Sequence, residues 1–134
     1  MKKDTPRKIA QNIALAIVRD ENEFKKEVWN VYLLNLKDIE IDTILISTRG
    51  YGIIEGSNIV RQPKTLSIQK IPPQSYSVIE PIPFSFLNFK NEYWVTFFEN
   101  GELFEKKYIF LPNSIVNDNF TNVPLIKKAG VMIK

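Results

Sequence analysis

The Asn100-Gly101 pair at the centre of NEYWVTFFENGELFEKKYIF, residues 91–110, limits the folds open to this chain more than any other feature. An Asn-Gly pair flanked by alternating apolar residues is the strongest local signal for a two-residue type I′ hairpin. That turn sets Phe97 opposite Phe104 and Tyr93 opposite Tyr108, with Val95 on the same side. A three-residue loop with a bulge instead sets Phe104 and Tyr108 opposite Thr96 and Glu92, which scatters the rings. It has one advantage, since it separates Glu99 from Glu102. Burying an aromatic ring contributes roughly 1.5–3 kcal/mol, whereas an exposed charge pair is worth less than about 1 kcal/mol. The two-residue turn is therefore expected, and the rings converge on one side as a sandwich core requires.

The other side of the hairpin carries Trp94, Thr96, Phe98, Leu103, Glu105 and Lys107. Three large apolar groups beside two charges do not make a core face. Either they lie beneath the C-terminal segment, or they form an interaction patch with Trp94, Phe98, Leu103 and Lys107 as its contact residues.

Period-two alternation recurs along the chain. In VWNVYLLNL (28–36), Trp29, Val31 and Leu33 share one face, while Val28, Tyr32, Leu34 and Leu36 share the other. Both faces are apolar, as in a central strand. IEIDTILIST (39–48), KTLSIQKI (64–71) and SYSVIEPI (75–82) alternate too, and Pro72-Pro73, Pro81 and Pro83 end strands because proline lacks the ladder donor. IALAIVRD (13–20) is ambiguous between strand and helix, and its alanines lean towards helix. ENEFKKE (21–27) reads as a loop or a helical turn. RGYGIIEGSN (49–58), with Gly50, Gly52 and Gly56, reads as a loop holding a short edge strand at Ile53 and Ile54. FSFLNFKN (84–91) reads as a loop with a hydrophobic plug.

About seven short strands at roughly 8–12-residue spacing predict an all-β, immunoglobulin-like antiparallel β-sandwich with a C-terminal hairpin extension. An OB-like barrel is the alternative. The expected division is a basic flexible tail over 1–10, a sandwich core over 11–110 and an extension over 111–134. The extension packs on or beside the sandwich, or swaps into a partner.

The 134 residues include neither cysteine nor histidine. Disulfides, thiolate chemistry and structural zinc are excluded, and so are the serine–histidine and cysteine–histidine mechanisms. Lys2, Lys3, Arg7 and Lys8 against Asp4 account for the whole net charge of +3. The basic character thus belongs to the tail, and the rest is balanced. No apolar run approaches the roughly 20 residues that span a bilayer, and no secretory signal is read at the N-terminus. A cytoplasmic location without membrane contact is expected.

The search for chemistry yields structural readings. RGYG (49–52) completes neither a dinucleotide fingerprint nor a P-loop and reads as a tight turn. Asp20, Glu21 and Glu23 lack the glycine and closing glutamate of a calcium loop and read as solvated. Glu80 is assigned to the Tyr76–Val78 face as an inward carboxylate, paired with Arg19 or Arg49. Trp94 and Phe98 with Lys106 and Lys107 make a thin version of a single-strand nucleic-acid site, against which the neutral body argues. No catalytic set, metal ligand or cofactor is expected.

WNVYLLNLKD (29–38), STRGYG (47–52), IEPI (79–82), NEYWVTFF (91–98), KKYIFLPNSI (106–115) and VPLIKKAGVMIK (123–134) together resemble one family of short bacterial proteins. The likeness runs from about Ile13 onward and rests on strand and turn signatures. Members often carry an automatic label, phenylalanyl-tRNA synthetase alpha subunit. This chain has no glycine-rich motif ending in arginine and is far shorter than a class II synthetase. The resemblance therefore implies a fold and no catalytic residue. The expected function is a small non-enzymatic protein that binds another protein or itself. A nucleic-acid or tRNA-associated module is the alternative, and a synthetase subunit comes last.

Overall fold

Asn100 and Gly101 both take left-handed backbone, at φ 51° and 78°. This is the type I′ geometry that matches the right-handed twist of paired strands. In the computed structural model, which describes residues 8–134, the turn joins two long strands in the expected register. Phe97 faces Phe104, Tyr93 faces Tyr108, and Glu99 faces Glu102. The two glutamates are relieved separately, Glu99 by Lys37 at 3.0 Å and Glu102 by Lys8.

In chain order the strands are β1 (Lys8–Ile9), β2 (Ile13–Glu21), β3 (Glu27–Asn35), β4 (Ile41–Ile54), β5 (Ser57–Val60), β6 (Lys64–Ile71), β7 (Ser75–Pro81), β8 (Lys90–Glu99), β9 (Glu102–Phe110), β10 (Thr121–Val123) and β11 (Lys128–Ile133). The first sheet runs β1-β9-β8-β4-β5, with β6 also paired to β4; the second runs β10-β11-β2-β3-β7. The pairings are antiparallel except the short β1–β9 contact. The chain is thus an all-β sandwich, not a closed barrel. The strands exceed the expected seven because β1, β5 and β10 are short edge pieces with little sequence pattern of their own.

The main core lies between the sheets. Ile13, Leu15, Ile17, Trp29, Val31 and Leu33 from the second sheet meet Ile44, Ile46, Tyr93, Val95, Phe97 and Tyr108 from the first. Tyr108 also donates its hydroxyl to the Ile13 carbonyl at 2.9 Å, bridging the sheets. A second cluster sits on the outside of the second sheet, where Val123 and Ile126 cover Ala14, Ala16, Val18 and Leu34.

That cluster corrects the helical leaning of residues 13–20. β2 is central, and all residues from Ile13 to Val18 are buried. A strand covered on both faces loses its alternation, and the alanines are small because a turn of chain lies over them. The C-terminal segment lies on the same sheet. β11 pairs with β2 in the same molecule, Gly130 opposite Val18, and the segment covers the second sheet instead of the hairpin face that bears Trp94.

Three other expectations need correction. The stretch 49–58 is not a loop with an edge strand: β4 runs through Gly50 and Gly52, then turns at Glu55-Gly56 into β5. The flexible tail expected over 1–10 extends too far, because Lys8 and Ile9 pair with β9 and Ala10 is buried. Its residues 1–7 lie outside the described residues. Glu80 faces inward, but not with Tyr76 and Val78, which are exposed. A bulge sets Val31 opposite Glu80 and Tyr32 opposite Val78, and that extra residue switches Glu80 to the core side.

Candidate functional site

The outward positions of β8 and β9 bring Trp94 directly opposite Lys107. Ser47 of β4 stands opposite Trp94 on its other side, and Arg49 stands opposite Glu92. These five residues enclose a hollow of about 290 Å³. A second hollow of about 390 Å³ lies across the indole, lined by Ile9, Trp94, Glu105, Lys106 and Lys107. Trp94 and Lys107 line both, and Trp94 is 48% exposed.

The indole is oriented by its Nε1, which donates to Glu105 Oε1 at 3.3 Å. Glu92 is held by Lys107 at 2.9 Å and by Lys90 at 3.7 Å. The Lys107 hydrogen bond outweighs partial burial and keeps the Glu92 carboxyl below its ordinary pKa.

Of the expected contact residues, the fold brings Trp94 and Lys107 together. Phe98 and Leu103 pair with each other nearer the hairpin tip and are half-buried. They lie two outward positions from Trp94, roughly 13 Å along a strand that rises about 3.3 Å per residue. Sequence reading missed Ser47, Arg49 and Ile9. Only the continuation of β4 through its two glycines places Arg49 beside Glu92, and only the β1–β9 pairing brings Ile9 to the second hollow.

The inward carboxylate belongs to a different environment. Glu80 is 4% exposed, and its partners are neither Arg19 nor Arg49. Arg61 reaches it at 3.4 Å, Lys64 at 3.5 Å, and the Tyr93 hydroxyl donates to it at 2.9 Å. Arg61 enters the interior at the break between β5 and β6, held by its backbone N–H to the Gly50 carbonyl at 2.8 Å. Its guanidinium lies over the Phe86 ring. Burial, and then the Glu80 charge, push the Tyr93 hydroxyl far above its ordinary pKa.

Asp20 is likewise no solvated loop residue. It is 8% exposed and accepts from Asn30 at 2.8 Å, Tyr32 at 2.6 Å and Lys128 at 2.5 Å. Burial alone raises a carboxyl pKa, but the three hydrogen bonds together overcome it and hold Asp20 below its ordinary value. The contact with Lys128 fastens β11 to β2. Both buried carboxylates are thus ion-paired across strands.

Among the described residues no helix is long and apolar enough to cross a membrane. No protein-family model matches the chain, and a comparison with curated proteins returns no match.

Proposed function

We propose that this chain is a small non-catalytic β-sandwich that works by binding another protein, or a second copy of itself, through the outer face of its first sheet. The observation that carries the reading is the position of Trp94. Tyr93, Phe97, Tyr108 and Phe110 of the same hairpin are fully buried, whereas Trp94 stands half-exposed near the middle of a sheet. Ile9, Leu45, Tyr51, Ile53 and Ile109 on the same face are exposed as well. Contiguous apolar surface rimmed by charge is characteristic of protein contact. The non-catalytic part of the reading is supported by the engagement of Asp20 and Glu80 in ion pairs that tie strands together. The proposed location is the cytoplasm, with which a cysteine-free chain agrees.

The test compares wild type with Trp94→Glu. Sedimentation velocity reports self-association, crosslinking in cells reports other partners, and thermal melting reports the fold. The expected result is a melting temperature within about 2 °C of wild type, since exposed substitutions cost little, with the associations lost. A variant that unfolds yet keeps its associations overturns the reading.

A further inference from the structure

We infer that the partner presented to this face is an acidic protein segment, in which a carboxylate engages Arg49 and Lys107 while a neighbouring apolar side chain packs on Trp94. The inference rests on the proposed protein-binding role and narrows it to one ligand chemistry.

Arg49 carries the argument. It stands opposite Glu92 across the β4–β8 pairing, where an ion pair is the ordinary outcome. Glu92 is instead occupied by Lys107 and Lys90, and no carboxylate among the described residues lies within ion-pair distance of Arg49. An exposed guanidinium therefore stands at the rim of the 290 Å³ hollow with its fork unmatched. Planar, bidentate pairing with a carboxylate is what that group does best.

The neighbouring residues specify the rest. The Glu105 bond fixes the indole, so an arriving apolar side chain meets a preorganised wall and loses less entropy on docking. The first hollow is lined by Arg49 and Lys107 against a single carboxylate, Glu92, leaving a positive surplus. A hollow of this size lies at the small end of ligand pockets and suits an acidic residue with its neighbour, not a larger molecule. The exposed aliphatics Ile9, Leu45 and Ile109 favour an apolar acidic peptide over a phosphate chain.

Selection from a random-peptide display library on the full chain, with Trp94→Glu as counter-selection, tests this. The expected winners place Asp or Glu next to a large apolar residue. Arg49→Ala weakens their binding roughly tenfold or more, as loss of a hydrogen-bonded charge implies, and binding falls with added salt. Trp94-dependent winners without acidic residues overturn the acidic-partner inference and leave the protein-binding role standing. A selection with no Trp94-dependent winners overturns both. A twelve-nucleotide oligouridylate that shifts the Trp94 indole N–H resonance and displaces the selected peptides also overturns the inference, in favour of nucleic acid.

Discussion

Gly50 and Gly52 do not bend the chain; what each supplies is room. A Cβ at Gly52 would lie 2.1 Å from the buried Phe89 ring, and one at Gly50 would lie 2.6 Å from Arg61 Nε. Gly52→Ala is therefore expected to cost about 1–3 kcal/mol by overpacking, read as a lower urea midpoint with unchanged slope. Sequence alone suggests a loop here, because glycine signals positive φ and close approach with the same letter. Arg61 was illegible for a related reason: Pro63 marks the strand break, but nothing local says that the arginine before it turns inward. Asp20 yields a prediction in pH. Its folded carboxyl titrates below the unfolded value, so its contribution is complete above the unfolded pKa, near 4, and fades as pH falls through the folded one. In urea titrations from pH 7 to pH 2, Asp20→Asn is expected to be less stable at neutral pH by about 1–3 kcal/mol. The gap to wild type should close towards acid; a gap that stays constant refutes the assignment.

At the scale of elements, the β8–β9 hairpin was fully legible, because a turn type and a row of rings specify the same register. Gly101 sits at φ 78° with open space around it. Gly101→Val should therefore act through backbone strain alone, at about 1–2 kcal/mol, and a melting curve measures it. β2 was not legible, since a strand buried on both faces and a buried helix share one apolar run. Its second cover comes from Val123 and Ile126, far away in sequence. Removing residues 120–134 should therefore bare Ala14, Ala16 and Val18, together with one edge of β2. The expected product is an aggregating chain without a cooperative melt, and a soluble, folded truncation would show that β11 is dispensable. Glu80 illustrates partial legibility: its inward placement was right, but the bulge that produces it leaves no trace in the alternation.

At the scale of the molecule, two packed sheets around a main core, with a C-terminal extension on or beside them, were foreseeable in outline. What covers which face was not, because that depends on pairings between distant segments. β1 meets β9, and β11 meets β2. Domains built on such long-range pairing fold in milliseconds to seconds, and stopped-flow refolding from urea is expected to fall in that range, not in microseconds. The docking of β11 beside β2 has a consequence for biosynthesis. While a ribosome is still extending the chain, β2 has emerged with β3 available on one flank and nothing for the other, and its two small alanines remain wet. The sandwich is then half a book with an open spine. It closes only after residue 133 clears the exit tunnel, so pausing late in translation should prolong dependence on a holdase chaperone.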